Sequence, residues 1–275
     1  MTARAGRLSI VATPIGNLED ITLRALRTLR EADLVLAEDT RRTRVLLQQH
    51  GLAKQLHAYH AHSSPRDTER VLESLREGQH VALVTDAGTP LISDPGAELV
   101  RKAQELGIRV ESIPGASAVL TALTLCGLRV DSFRFLGFLP RSGKRRRAAL
   151  EEIARDRAAS VIFESPHRVA ATLGDLPAER QVAVCRELTK LHEEVVRGTA
   201  AELTERFAEG ARGEITLVIE GATEIAAEEV SGEVLDARIV QLLAGGQSVR
   251  DVVQTLLGES SLSRQALYAR VLVLK

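Results

Sequence analysis

Val84-Thr85-Asp86-Ala87-Gly88-Thr89-Pro90 carries an apolar run straight into a loop of small residues, and Ile113-Pro114-Gly115-Ala116-Ser117-Ala118 does the same further along. In an open α/β sheet, ligands lie beyond the carboxyl ends of the strands, where small side chains let backbone groups touch them. A third loop, Thr13-Pro14-Ile15-Gly16-Asn17, follows the apolar run at 8–12. Three such loops predict one small-molecule site at a shared sheet edge.

Outward from these loops the chain alternates strand and helix. Leu23, Leu26 and Leu29 have helical spacing, residues 34–37 read as a strand, and 40–50 as a helix closed by Gly51. Ser64-Pro65 is a cap followed by a first-turn proline, with Val71, Leu72 and Leu75 as the buried stripe before Gly78. Residues 81–85 form the next strand. Asp94-Pro95 repeats the cap-and-proline device before Leu99, Val100, Ala103 and Leu106, and Gly107 ends that helix. Strands separated by helices pair in parallel through right-handed crossovers, which makes 1–125 a doubly wound domain.

The pattern then changes. Strands at 134–139, 160–163, 181–185, 194–197 and 214–220 have fewer long helices between them and predict a smaller mixed sheet, so 126–222 forms a second α/β domain. An acidic, Ala-rich linker runs to Glu233. Apolar stripes at 234–243, 249–257 and 263–274 make 234–275 a small helical appendage, punctuated by Gly245-Gly246 and Gly258, with Ser248 and Ser263 as N-caps.

Of the 275 residues, 44% are hydrophobic, enough for substantial cores, while aromatics are only 3%, which argues against a platform stacking several bases. The 36 Lys and Arg against 37 Asp and Glu leave a formal charge of −1, so any affinity for a polyanion is local. Cys126 and Cys185 are too few for a thiolate cage or disulfide framework. With no apolar run of membrane length, the reading is a soluble, cytoplasmic protein.

No GxGxxG opens the first helix, and the stretch ending in Gly143-Lys144 has Arg145 where a P-loop needs Ser or Thr. Arg141-Ser142-Gly143-Lys144-Arg145-Arg146-Arg147 is the one dense basic run. Cations at a positive helix N-terminus are unfavourable without an anionic partner, and Lys144, Arg145, Arg146 and Arg147 are therefore candidates for a phosphate backbone. His57, His60 and His62 cluster without cysteines, which favours a surface role, and no metal is expected. Glu164-Ser165-Pro166-His167-Arg168 and Arg186-Glu187-Leu188-Thr189-Lys190 put charges just beyond strands, as exposed strand ends or as one rim of a cleft.

Together, the segment Thr13–Thr22, Glu38-Asp39-Thr40-Arg41, Asp86–Pro90 with Ser93-Asp94-Pro95-Gly96, Pro114–Ala118, Phe163–Arg168 and Arg186–Lys190 closely resemble the ribosomal RNA small subunit methyltransferase I family of the tetrapyrrole methylase superfamily. The resemblance implies an α/β, tetrapyrrole methylase-like fold: two α/β domains with the cofactor cleft between them and a helical tail. It implies an S-adenosylmethionine-dependent enzyme that methylates the ribose 2′-hydroxyl of a cytidine in the decoding region of 16S rRNA, with naked 16S rRNA or the small ribosomal subunit as partner, and a homodimer. Carried over by motif, the cofactor-contacting positions are Ile15; Ala87, Gly88, Thr89 and Ile92; Ser117 and Ala118; and Glu164 and Leu188. Asn17 departs from the Asp usual in the first loop.

Methyl transfer to a hydroxyl is an in-line displacement that needs alignment and a proton acceptor or a nearby cation. Asp39, Glu187 and Lys190 are the catalytic candidates; the lysine could act as a base only if burial or Arg186 depressed its pKa. A tetrapyrrole C-methyltransferase sharing the donor loops, and a non-catalytic RNA-binding assembly factor, are the competing readings.

Overall fold

The computed structural model describes residues 6–222, 232–257 and 264–274, which fall into two compact units divided after Gly221. The first begins with β1 (Arg7–Val11), α1 (Leu23–Glu31), β2 (Leu34–Ala37), α2 (Thr40–Gln49), β3 (Leu56–Ala58), α3 (Pro65–Arg76), β4 (His80–Val84), α4 (Ala97–Glu105), β5 (Arg109–Ile113) and α5 (Ala118–Leu125). Its five strands are parallel, in the order β3-β2-β4-β1-β5.

Alternating side chains send Leu8, Ile10, Leu36, Val81 and Leu83 to one face, against Leu72 and Leu75 of α3 and Leu99 of α4. Val11, Val35, Ala37, Ala82, Val84 and Ile113 point to the other, against Ala25 and Leu29 of α1 and Leu46 and Leu47 of α2. Both faces are covered, which is why these strands read as continuous apolar runs. The neighbours β1 and β4 therefore exit to helices on opposite faces, and a crevice opens between their loops.

Ser64 caps α3 as its sequence suggested, in a reciprocal box with Asp67. Asp94-Pro95 does not start α4. Gly96, at φ +120°, is the N-cap and makes no side-chain bond, since a Cβ there would lie 2.7 Å from Leu83 and 2.8 Å from Leu91. Asp94 is thereby left in the crevice. The short edge strand β3 was not legible: its backbone pairs with β2 while His57 and Ala58 stay exposed, so no alternation marks it.

The second sheet comprises β6 (Phe133–Phe138), β7 (Ala159–Glu164), β8 (Gln181–Arg186), β9 (Glu194–Thr199) and β10 (Ile215–Ile219), in the order β6-β7-β10-β8-β9. Only β6 and β7 are parallel among these described pairs; the others are antiparallel, the mixed arrangement expected. Its outer face packs on α6 (Gly143–Arg155), α7 (Val169–Gly174) and α8 (Ala200–Arg206) through Ile162, Val184 and Leu217. Its inner face, with Val161, Ala183, Cys185 and Val218, receives α5 together with Ile15 and Leu188, so one apolar core joins the two sheets. Arg197 of β9 closes the joint by donating to the carbonyls of Leu125 and Cys126, both at 2.5 Å.

At the opposite edge of the first sheet, buried His80 sits between Arg7, whose Nη2 is 3.0 Å from Nδ1, and Ser9, whose Oγ is 2.8 Å from Nε2 and donates to Glu111. Arginine has only donors, so Nδ1 accepts and the imidazole is neutral with its hydrogen on Nε2. Burial and the adjacent Arg7 guanidinium hold its pKa below the usual histidine range. The unfolded chain thus binds a proton here more readily than the folded one, and this contribution to stability, complete above about pH 6.5, is lost as pH falls toward the folded-state value. Urea unfolding from pH 7.5 to 5 is expected to show stability falling more steeply for wild type than for His80→Gln; equal slopes would remove His80 as the source.

The second unit contains α9 (Gly232–Ala244), α10 (Val249–Leu256) and α11 (Arg264–Val273) around its own core of Leu235, Ile239, Val252, Leu256, Leu267 and Val271. Ser248 caps α10, as expected; Gly258 and Ser263 lie outside the described residues. No helix among the described residues is long and apolar enough to cross a membrane.

Candidate functional site

All parallel strands of the first sheet end at one edge, where Thr13 and Gly88 join the first two loops by reciprocal backbone bonds of 2.8 and 3.1 Å. The second sheet presents the ends of β7 and β8 beside the start of antiparallel β10, because Ile215 is in register with both Glu164 and Arg186. Between these edges lies a cavity of about 490 Å³. All nine positions carried over by motif line it: Ile15, Ala87, Gly88, Thr89, Ile92, Ser117, Ala118, Glu164 and Leu188.

Glu164 presents no free carboxylate to the cavity. Its side chain is fully buried, accepting from Arg168 Nε at 2.8 Å and Nη2 at 3.0 Å, from Thr172 Oγ1 at 2.6 Å and from the Ser165 amide at 2.6 Å. Asn17, the departure in the first loop, caps a short turn through the Glu19 amide while its own amide donates to Thr189 Oγ1 at 3.1 Å. The four described non-glycine residues with positive φ, namely Leu91, Ser93, Glu187 and Thr189, all fall in the two loops beside the cavity, where surrounding structure holds strain that a free loop would release.

Several lining residues were missed by sequence reasoning. Glu38 and Arg42 follow β2, Asp94 is the residue assigned to a helix cap, and Thr216 enters only because β10 runs antiparallel. Phe138 and Phe163 also line the cavity, 5.5 Å apart by ring centre, with Phe138 61% exposed, so two of the few aromatics stand at its wall. Burial pushes Asp86 and Asp94 above their ordinary carboxylate values, helped by the charges of Glu38 and Asp39 beside Asp86 and of Glu38 and Asp86 beside Asp94.

The three catalytic candidates separate. Asp39 caps α2, accepts from Arg41 Nη2 at 2.6 Å and from the Arg41 amide at 2.8 Å, is held far below the usual carboxylate range by those bonds, and lines neither this cavity nor its neighbour. Glu187 also lines neither, and its carboxylate, lowered by Lys190 and the Glu214 amide, is occupied by both at 2.8 and 2.9 Å. Lys190 does reach a second, adjoining cavity. Burial alone would lower its pKa, but Glu187 and Glu214, at 2.8 and 3.0 Å, raise it overall, so the condition for a lysine base is not met and the group is a cation.

The basic run opens α6, whose N-cap Ser142 makes no capping bond. Lys144, Arg145 and Arg147 are exposed. Arg146 is not available in the same way: its side chain is 11% exposed and donates to Asp175 at 2.8 Å and Thr172 at 3.0 Å. His57 and His60 are exposed, and His60 Nδ1 accepts from the His62 amide; no group able to hold a metal occurs among the described residues. Burial pushes the Cys185 thiol up to about 12, so it is no nucleophile.

The strand-end loops and the paired sheets define a tetrapyrrole-methylase class of protein, and the family model for Tetrapyrrole (Corrin/Porphyrin) Methylases matches residues 7–204. Solved structures of similar fold include cobalt precorrin-4 methyltransferase (TM-score 0.59, 19% identity, 77% of this chain and 94% of that one). Another is uroporphyrin-III C-methyltransferase from Thermus thermophilus complexed with S-adenosylhomocysteine (TM-score 0.57, 20% identity, 78% and 96%). The chain is 44% identical to the ribosomal RNA small subunit methyltransferase I of Halalkalibacterium halodurans over 96% of this chain and 93% of that protein, and 47% identical to that of Thermotoga maritima over 78% and 99%. The chain belongs to the ribosomal RNA small subunit methyltransferase I family.

Proposed function

We propose that this chain transfers a methyl group from S-adenosylmethionine to ribosomal RNA, at the ribose 2′-hydroxyl of a cytidine in the decoding region of 16S rRNA. The observation that carries this reading is the convergence of all nine motif-derived positions on one cavity. That cavity suits the donor chemically. Small residues at 87–88 and 117–118 allow backbone contact, Ile15, Ile92, Phe163 and Leu188 offer an apolar seat for an adenine, and Glu38, Asp86 and Asp94 offer negative charge to a cation. When bound, the donor supplies an electrophilic methyl on a cationic sulfur.

The residues of this chain align the two reactants and exclude water, with positioning as the dominant contribution. Lys190 and Arg42, at the adjoining cavity, are cations able to favour a developing alkoxide. Purified protein with methyl-labelled donor is expected to label small ribosomal subunits or their RNA at a ribose and to leave uroporphyrinogen unlabelled. Label in the macrocycle alone, or donor binding without transfer to any RNA, would reject the reading.

The exposed cations at the start of α6 are proposed to meet RNA phosphate. Alanine at Lys144, Arg145 and Arg147 together is expected to lower the slope of log affinity against log salt by about 2, as loss of three phosphate contacts requires. Arg146→Ala is expected to lower stability and leave that slope unchanged; an unchanged slope in the triple variant would remove the run from the RNA site. From the family resemblance the chain is proposed to act in the cytoplasm as a homodimer, and the exposed Leu23, Leu120 and Leu191, at 86, 57 and 92%, are apolar surface that a second copy could cover. A monomeric mass by light scattering would reject the dimer.

A further inference from the structure

The second cavity, about 390 Å³, shares Ile15, Arg42, Thr85, Asp86, Ala87 and Glu214 with the first. It continues past this partition to Pro14, Gly16, Val45 and Lys190. Two adjoining cavities that share these lining residues are what a transfer between two bound molecules needs.

Two carboxylates stand on the partition. Glu214 is 62% exposed and its Oε2 accepts from Lys190. Asp86 is 25% exposed on its side chain, and its Oδ1 accepts from the Asp39 amide at 2.9 Å. Among the described residues Asp86 Oδ2 accepts no hydrogen bond; the facing cation is Arg42, whose Nε lies 3.6 Å away and whose side chain is 62% exposed.

We propose that the second cavity seats the acceptor nucleoside and that Asp86 is the catalytic base, taking the proton of the ribose hydroxyl on Oδ2. This rests on the methyl-transfer reading above. The hydroxyl oxygen forms a bond to the methyl carbon as the carbon–sulfur bond breaks, the electron pair of that bond stays on sulfur as a neutral thioether, and the proton passes to Asp86. Charge balances, since one cationic sulfur and one carboxylate become a thioether and a carboxylic acid.

The surroundings suit the role. Asp86 faces Glu38 and Asp39 beyond β2, Arg42 on α2 and Asp94 in its own loop, with Lys190 and Glu214 across the second cavity. Burial and the two nearby carboxylates raise its proton affinity above that of an ordinary aspartate, while Arg42 and the Asp39 amide oppose them. A stronger base at neutral pH is the result.

Asp86→Asn keeps an Oδ1 acceptor for the Asp39 amide and removes the base. Methyl transfer to small subunits is expected to fall about 10²–10⁴-fold in kcat, with the dissociation constants for S-adenosylhomocysteine and RNA within threefold of wild type. Asp86→Glu is expected to restore part of the rate with the acidic limb of the pH–rate profile displaced. Independently of turnover, a carboxyl ¹³C resonance absent from Asp86→Asn is expected to titrate above the ordinary aspartate value of about 3.9. Val45→Trp fills the second cavity from the exposed face of α2 and is expected to raise KM for subunits more than tenfold at unchanged S-adenosylhomocysteine affinity.

An Asp86→Asn rate within fivefold of wild type, or a loss matched by lost S-adenosylhomocysteine affinity, overturns the base; unchanged KM in Val45→Trp overturns the seat. If wild type itself methylates no RNA, it is the methyl-transfer reading that fails.

Discussion

Arg168→Ala is expected to destabilise the chain by about 3–5 kcal/mol, the cost of leaving a buried carboxylate without its cation. Glu164 is completely buried, and Arg168 supplies its charge partner through two nitrogens while Nη2 also donates to the Leu139 carbonyl at 3.1 Å. Thr172 and the Ser165 amide remain after the substitution but carry no compensating charge. Such a loss is a large part of the roughly 5–15 kcal/mol that holds a typical fold. Urea unfolding measures it. The double replacement Glu164→Gln with Arg168→Met removes both charges at similar volume and is expected to recover most of the stability. A single-variant loss below about 1 kcal/mol would show that water reaches the carboxylate.

Gly16→Val is expected to lower kcat for methyl transfer by about 10²-fold, the consequence of misplacing a reacting group by about 1 Å. Even a Cβ at this position would lie 2.5 Å from Lys190 Cγ, 2.7 Å from Thr189 Oγ1 and 3.0 Å from the Leu188 carbonyl oxygen. The first loop of one sheet therefore touches the 187–193 loop of the other at glycine-only distance, and the larger side chain must drive them apart. Global stability should change less than activity, because the cores that cover the two sheets from outside are untouched and only the shared core at Ile15 and Leu188 must shift. Wild-type turnover in this variant would mean that the loops do not need this contact.

The chain order of strands and helices was legible because the parallel strands are buried on both faces and the helices carry amphipathic stripes with caps such as Ser64. That the three loops at 13–17, 85–90 and 114–118 meet was readable for the same reason: a parallel sheet brings every strand end to one edge. Local signals misled where tertiary packing overrode them. Asp94-Pro95 has the chemistry of a cap, yet Leu83 and Leu91 leave room only for Gly96, and Asp94 goes to the cavity. Arg146 is indistinguishable from Lys144 and Arg145 in sequence; only its approach to Asp175 and Thr172 withdraws it from the surface.

By itself the sequence determined the alternation of elements, the parallel pairing of the first sheet and the small-residue loops at its strand ends, since each depends on periodicity and neighbours close along the chain. Which carboxylate lines the cavities was decided by tertiary structure. Asp39, Asp86 and Glu187 are alike in composition, but Asp39 and Glu187 are engaged by their chain neighbours Arg41 and Lys190 and line neither cavity, while Asp86 accepts from the distant Asp39 amide and lines both. Asp39 and Asp86 lie 47 residues apart, and their loops meet only because β2 and β4 pair side by side in the first sheet.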